Sequence, residues 1–140
     1  MPLVNNEGKA MNITGNAIVF GGGGGIGRAT ALAFAEAGAA GVLIADIDLE
    51  AAKSAASEIV AASKQPGFRA ELRVETVFVD ITAQQSVESA FEKMVDTFGR
   101  IDYCVNCAGV SSSALLPLVA FSGPNNMYPA DPRKDTTTNR

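Results

Sequence analysis

The chain lacks both an excess of basic charge and a run of apolar residues long enough to cross a membrane. Its 140 residues hold 11 Lys and Arg against 15 Asp and Glu, a formal net charge of −4, which argues against a nucleic-acid-binding surface. Every apolar run is shorter than the roughly 18 residues that a membrane span needs. The stretch from Met1 to Glu7 has no basic region followed by an apolar one, so it predicts no secretory signal. We expect a cytoplasmic protein with no nucleic-acid partner and no membrane partner.

Cysteine is also scarce. The two cysteines, Cys104 and Cys107, form a C-x-x-C pair at the end of an apolar run, 101–106, that is typical of a strand. Redox pairs of this spacing need a helix N-terminus to stabilise the thiolate, whereas residues three apart on a strand face opposite sides of the sheet. The pair therefore predicts neither a redox centre nor a metal site.

What the sequence does contain is a regular alternation of strand and helix patterns. Hydrophobic residues make up 47% of the chain and charged residues 19%, as in a folded domain. The patterns predict strands at 16–20, 42–45, 72–79 and 101–106, and helices at 26–37, 49–63 and 86–98. Strands separated by helices of this length imply right-handed βαβ crossovers and a parallel sheet. We predict an α/β fold, the first half of a Rossmann-type doubly wound sheet, with strand order 3-2-1-4.

Helical spacing predicts which face of each helix carries small or apolar residues. In the first helix the face is a small-residue stripe, followed by Gly38 at the C′ position. The predicted residues are Ala29, Ala33 and Ala37 in the first helix; Leu49, Ala52, Ala56, Ile59 and Val60 in the second; and Val87, Phe91, Met94, Val95 and Phe98 in the third, which Gly99 ends.

The composition changes after residue 110. Residues 122–140 contain three prolines, three consecutive threonines and almost nothing apolar, with a charge of +1. Such a segment buries too little apolar surface to offset the loss of chain entropy. We predict a flexible N-terminus over 1–11, a partial Rossmann-type domain over 12–113, and a disordered tail over 114–140.

The most informative segment is the glycine-rich stretch between the first strand and the first helix. Residues without a Cβ allow a sharp turn and a close approach of the backbone to a ligand. At a helix N-terminus such a turn directs N–H groups and the positive end of the helix dipole toward an anion, for example the pyrophosphate of a dinucleotide. Two frames fit: Gly22, Gly24 and Gly27 match G-x-G-x-x-G, and Gly21, Gly25 and Gly27 match G-x-x-x-G-x-G.

Residues suited to the same ligand end the later strands. Asp46, 19 residues beyond Gly27, is placed to accept the adenosine ribose hydroxyls and to repel a 2′-phosphate. The alternative, a cap for the next helix, suits Asp48 better. Asp80 is equally suited to accept the adenine amine or to start a helix. The segment 106–109 has small residues that let a nucleotide lie against the sheet, or it is a plain turn.

Together these residues resemble the short-chain dehydrogenase/reductase family from about residue 12 to residue 113. The resemblance supports the G-x-x-x-G-x-G frame and implies hydride transfer between an alcohol or carbonyl compound and a nicotinamide cofactor. It implies that Asp46 selects NAD over NADP, that Asp80 contacts adenine, and that Ile26 covers the pyrophosphate. The cofactor-binding residues so implied are Gly21, Gly25, Ile26, Gly27, Asp46, Asp80, Asn106, Ala108 and Gly109.

The chain departs from the family pattern at three binding positions. Phe20 replaces the usual Thr before the first glycine, Gly24 stands where Ser or Ala is common, and Cys107 replaces a second Asn. Each departure is expected to weaken cofactor affinity without abolishing the motif.

The catalytic Tyr-x-x-x-Lys pattern of the family is missing from the sequence. Four residues after Tyr103 is Cys107, and four after Tyr128 is Pro132. The serines at 111–113 come too early for the family's catalytic Ser. No catalytic residue is predicted, and we expect the cofactor-binding half of a truncated enzyme, whose alcohol or carbonyl substrate is bound only by a full-length relative. The alternatives are a catalytically inactive dinucleotide-binding or interaction module, and a fragment that does not fold stably and self-associates through its fourth strand.

Overall fold

Residues 12–109, the part of the chain that the computed structural model describes, form a four-stranded parallel sheet with helices on both faces. Its elements in chain order are β1 Asn16–Phe20, α1 Gly25–Glu36, β2 Gly41–Asp46, α2 Leu49–Ala62, β3 Arg73–Phe78, α3 Gln84–Phe98 and β4 Tyr103–Asn106. The strand order is β3-β2-β1-β4, and every neighbouring pair is parallel. The predicted α/β fold class and strand order are confirmed. The segments predicted to be flexible or disordered, 1–11 and 114–140, lie outside the described residues.

Element boundaries agree with the predicted ones to within two residues. The largest differences are at α3, which begins at Gln84 instead of residue 86, and at β4, which begins at Tyr103 instead of residue 101. Ser86 lies inside the first turn of α3, where its hydroxyl accepts a hydrogen bond from the Asp80 N–H at 2.9 Å. The predicted helix ends are present: Gly38 follows α1 with φ +102°, and Gly99 ends α3 with φ +83°.

Helices α1 and α2 pack on one face of the sheet through alanines. Val19, Val42 and Ile44 project to this face from the central strands. The helix residues buried in the same cluster are Ala31 and Ala35 of α1 and Ala52, Ala55 and Ile59 of α2. The predicted stripe at Ala29, Ala33 and Ala37 is therefore not the packing face of α1, although Ala37 is buried at its end. Val60, predicted on the same apolar face of α2 as Ile59, is 46% exposed and lies at the margin of the packed surface.

On the opposite face, α3 is the one helix that residues 12–109 supply. Its buried residues, Ala90 and Met94, lie against a cluster formed by Ile18, Phe20, Leu43, Ala45 and Val79. The Phe20 and Phe91 rings meet edge to face with centroids 5.4 Å apart. Val95, predicted on the apolar face of α3, is 48% exposed and lines an open groove together with Phe91.

Among residues 12–109, none of the helices combines the length and the apolar character that crossing a membrane requires. Both cysteines are free, and the described residues contain no metal-ligand cluster of His, Cys, Asp or Glu. Partial burial raises the pKa of the Cys104 thiol, which disfavours the reactive thiolate.

Candidate functional site

The residues singled out in the sequence follow the carboxyl ends of the four strands. Gly21 follows β1, Asp46 ends β2, Asp80 comes two residues after β3, and Asn106 ends β4. Since all four strands are parallel, these positions lie along one edge of the sheet. Ligands of open α/β sheets bind at this edge, where the loops between strands and helices meet.

The shape of the turn from β1 to α1 accounts for the three glycines of the G-x-x-x-G-x-G frame. Gly21 and Gly25 have φ values of +70° and +53°, which side chains with a Cβ rarely adopt. A Cβ on Gly27 would overlap the carbonyl oxygen of Gly21. By contrast, Gly24 is extended at φ −158° with open space around it. Its backbone does not require glycine, so the G-x-x-x-G-x-G frame describes this turn better than G-x-G-x-x-G.

In the described part of the chain, no side chain satisfies the N–H groups at the N-terminus of α1. Its N-cap, Gly24, makes no side-chain bond, and the first turn holds no acidic residue. Within residues 12–109, the backbone N–H groups of 24–27 have no hydrogen-bond acceptor. Ile26 is 80% exposed beside them. These N–H groups and the helix dipole make an anion-binding N-terminus.

Asp46 uses both carboxylate oxygens in backbone hydrogen bonds. Its Oδ2 accepts from the Gly23 N–H at 2.8 Å, and its Oδ1 accepts from the Asp48 N–H at 2.9 Å. Asp48 is the N-cap of α2, where its Oδ1 accepts from the Ala51 N–H at 3.0 Å. The helix-capping role weighed for Asp46 thus belongs to Asp48. A carboxylate offers about four lone pairs, so Asp46 keeps capacity for further donors.

The cations nearest in sequence to the glycine turn and Asp46 are paired with acids of α2. Arg28 Nε donates to Glu58 Oε2 at 2.7 Å, and its guanidinium also reaches the Ser54 hydroxyl at 3.4 Å. Lys53 pairs with Glu50 at 2.8 Å. Because both cations are already paired with other acids, neither of them neutralises the carboxylate of Asp46.

Asp80 makes a local turn and does not cap α3, whose N-cap is Ala83. Its Oδ1 accepts from the Thr82 hydroxyl at 2.7 Å and from the Thr82 N–H at 2.9 Å. These bonds, the hydroxyl first, hold the pKa of Asp80 below its ordinary value of 3.8. Asp80 is thus an ionised acceptor at neutral pH.

The segment after β4 lies against the glycine turn. The Cys107 N–H donates to the Phe20 carbonyl at 2.8 Å, and the Asn106 Oδ1 accepts from the Ala108 N–H at 3.0 Å. A Cβ on Gly21 would come within 2.6 Å of the Ala108 nitrogen. Asn106 therefore orders a turn that contacts Gly21, while Gly109 is exposed beyond it.

No catalytic residue emerges from the described part of the chain. Tyr103 packs against Phe34 of α1, with ring centroids 5.4 Å apart. Tyr128, Lys134 and the serines at 111–113 lie outside the described residues.

Sequence reasoning missed the Gly23–Asp46 bond and the direction of Arg28. Both depend on how close the turn after β1 lies to the start of α2, and no local pattern records that distance. The only signal in the sequence was glycine at position 23, which neither motif frame requires.

Comparison with known proteins gives a consistent result. The family model described as short chain dehydrogenase matches residues 15–122. The short-chain dehydrogenase fogB of Aspergillus ruber is 51% identical over 116 residues, covering 79% of this chain and 41% of that protein. The 3-oxoacyl-[acyl-carrier-protein] reductase FabG of Thermotoga maritima is 38% identical over 110 residues, covering 79% of this chain and 39% of that protein. The chain thus spans about two fifths of the length of these relatives.

Solved structures agree. A hydroxysteroid dehydrogenase from Escherichia coli superposes with a TM-score of 0.61 at 31% identity, covering 71% of this chain and 38% of that one. The C-domain of a bacterial malonyl-CoA reductase with NADP gives a TM-score of 0.66 at 32% identity, covering 74% of this chain and 16% of that one. With the sheet order, the glycine turn and the matched range, these likenesses establish that the chain belongs to the short chain dehydrogenase family.

Proposed function

We propose that this chain supplies the dinucleotide-binding part of a short-chain dehydrogenase/reductase and binds NAD in preference to NADP. The observation that carries the proposal is the uncapped N-terminus of α1, whose N–H groups over 24–27 lie at the same sheet edge as the Asp46 carboxylate. The N–H groups suit a pyrophosphate, and the carboxylate suits the two hydroxyls of a ribose.

The remaining site residues are assigned by their position at the same edge. Gly21, Gly25 and Gly27 shape the turn, and Ile26 covers the pyrophosphate with an exposed apolar side chain. Asp80 accepts the adenine amine as an ionised carboxylate. The adenosine side is supported by Asn106, Ala108 and Gly109.

The preference for NAD rests on electrostatics. A 2′-phosphate would bring about two negative charges to Asp46, with Asp48 and Glu50 following in the sequence. Arg28 and Lys53 are engaged by Glu58 and Glu50. The related malonyl-CoA reductase domain, which was solved with NADP, makes the two-cofactor comparison necessary.

Calorimetric titration of the purified chain with NAD and with NADP tests the proposal. We expect NAD to bind at least about fivefold more tightly, since a close like-charge contact costs on the order of 1 kcal/mol or more. Equal affinities would refute the role of Asp46, and no binding of either cofactor would refute the site.

A gain-of-function variant sharpens this test. Ile47 is 64% exposed directly after Asp46, so Ile47→Arg places a cation beside the 2′ position without touching the hydrogen bonds of Asp46. We expect NADP affinity to rise roughly fivefold or more, while NAD affinity changes little. Ile47→Gln is the matched control, because it adds a polar chain of similar length without charge. An equal effect of both variants would contradict the electrostatic explanation.

Hydride transfer by the 140-residue chain is a separate question. The family's proton transfer uses Tyr and Lys four residues apart, and neither Tyr103 nor Tyr128 has that Lys. We expect no turnover when the chain is incubated with NAD and a panel of secondary alcohols while reduced-nicotinamide absorbance is followed. Turnover in protein freed of host dehydrogenases would contradict this expectation and the second candidate function, a binding module without catalysis.

A further inference from the structure

The first half of the glycine turn is tied to the end of β2. The Gly21 and Gly22 N–H groups both donate to the Ala45 carbonyl, at 2.7 and 3.3 Å, and the Gly23 N–H donates to Asp46 Oδ2 at 2.8 Å. The second half, 24–27, offers its N–H groups at the proposed pyrophosphate position. One half of the turn is thus anchored, and the other half is presented to ligand.

The contact at Gly23 is tight as well as bonded. Gly23 is buried, and a Cβ there would come within 2.9 Å of Asp46 Oδ2 and within 3.0 Å of the Ala51 Cβ. The turn therefore lies directly on the first turn of α2. Asp46 Oδ1 meanwhile accepts from the Asp48 N–H at the start of that helix. One carboxylate joins the glycine turn to the N-terminus of α2.

We infer that Asp46 is a positioning residue that holds the glycine turn in its ligand-binding shape, in addition to its proposed contact with ribose. This inference rests on the proposed function. Five consecutive glycines have more conformational freedom to lose than any other sequence of that length. A charge-assisted bond to a buried N–H in the middle of the run removes much of that freedom before ligand arrives. The bond also compensates for the absence of the Thr hydroxyl that Phe20 replaces, which would otherwise brace the turn.

Asp46 would then affect binding in two ways, through the ribose and through the shape of the turn, and two ligands distinguish them. If Asp46 only contacts ribose, its removal matters only for ligands that carry ribose hydroxyls. If it also shapes the turn, its removal weakens binding of a pyrophosphate ligand that has no such hydroxyls. ADP and 2′,3′-dideoxy-ADP are therefore the two probes.

Three variants of the full chain are titrated with both probes. Asp46→Ala removes both acceptors. Asp46→Asn retains one amide oxygen that can accept from the Gly23 N–H, and it removes the same negative charge as Asp46→Ala. Asp48→Asn is the matched control, because it removes a nearby acid, keeps a good helix cap and leaves the Gly23 bond intact.

We expect Asp46→Ala to weaken 2′,3′-dideoxy-ADP binding about tenfold, the effect of losing a hydrogen bond to a charged group. Asp46→Asn and Asp48→Asn are expected to stay within about threefold of the wild type, in the range of a neutral hydrogen bond or less. Unchanged binding of the dideoxy probe by Asp46→Ala overturns the inference. If Asp46→Ala does not fold, Gly23→Ala displaces the carboxylate while leaving it in the chain, and the same tenfold loss is expected.

Hydrogen exchange without ligand supplies a readout independent of affinity. In Asp46→Ala the Gly23 amide is expected to exchange roughly tenfold faster or more, while the core amide of Ile18 is unchanged. Equal exchange of Gly23 in wild type and variant also overturns the inference. If the wild type binds neither probe, the proposed function is refuted and the positioning role with it. If the wild type binds both probes and Asp46→Ala binds 2′,3′-dideoxy-ADP equally well, the positioning role alone is refuted.

Discussion

At the scale of single residues, the Asp80–Thr82 turn gives a pH-dependent prediction. The Thr82 hydroxyl is the first cause of the lowered pKa of Asp80, and the Thr82 N–H is the second. Thr82→Val removes the hydroxyl and keeps the N–H. We expect the pKa of Asp80 to rise toward 3.8 but to remain below it, as measured by NMR titration of the carboxyl carbon.

The sign of the stability effect follows from the direction of that shift. Because the folded-state pKa is lowered, the stabilising bonds of Asp80 are fully present above the ordinary value and are lost as pH falls through the folded-state pKa. At neutral pH the wild type is therefore expected to have a higher free energy of unfolding in urea than Thr82→Val. In strong acid, the two free energies of unfolding are expected to converge. An unchanged Asp80 titration in the variant would show that the hydroxyl bond does not form in solution.

Single residues also show what the sequence can and cannot predict. Asp46 and Asp80 were found because a carboxylate at a strand end is visible in the sequence as an acid that ends an apolar run. The partners of those carboxylates were not found. Gly23 is 23 residues before Asp46, and the bond between them depends on the packing of the turn on α2. Such packing is decided by side-chain volumes across the whole layer.

At the scale of elements, the glycine turn predicts unequal tolerance to alanine. Gly24→Ala enters open space at an extended φ, so the free energy of unfolding is expected to change by less than about 1 kcal/mol. Gly27→Ala collides with the Gly21 carbonyl oxygen, and a loss of about 2 kcal/mol or more is expected. Urea denaturation of both variants measures the difference. Equal stability would mean that the turn has a different shape in solution.

The helices show where periodicity alone is insufficient. The existence and the ends of α1 were predictable from its alanine run and from Gly38, but its packing face was not. Alanines lie on both candidate faces of the helix. Hydrophobicity alone therefore does not distinguish the face with residues 29, 33 and 37 from the face with residues 31 and 35. The close approach of Gly27 to Gly21 fixes the rotation of α1 and places Ala31 and Ala35 on the sheet. In α3, with larger and sparser apolar residues, the predicted apolar face is fully buried at Met94 and 48% exposed at Val95.

At the scale of the whole molecule, the strand order follows from connection rules and local patterns together. Three helical segments of similar length impose parallel crossovers, and the doubly wound plan then places β4 beside β1. This plan leaves β1 and β2 central, and their fully buried runs agree with that position. By contrast, β3 and β4 form the two sides of the described sheet, and both contain exposed residues.

The outer side of β4 is expected to drive self-association of the chain. Among residues 12–109, β4 pairs only with β1, so its other side presents unpaired N–H and C=O groups. Natural edge strands are protected by charges, prolines or bulges, and β4, with the sequence Tyr-Cys-Val-Asn, has no charge and no proline. The groove lined in part by Phe91 and Val95 adds apolar surface on the α3 face. We expect size-exclusion chromatography with light scattering, at tens of micromolar under reducing conditions, to give masses above the 14.4 kDa monomer.

A charge placed on the edge strand tests whether β4 is responsible. Cys104 is exposed, so Cys104→Lys puts a solvated cation on the strand without disturbing the core. The average mass is expected to fall toward that of the monomer. Cys104→Ser is the matched control, since it removes the thiol without adding charge and should associate like the wild type. A wild-type chain that stays monomeric for days would contradict the edge argument, and equal effects of the two variants would assign the association to the thiol instead of the strand.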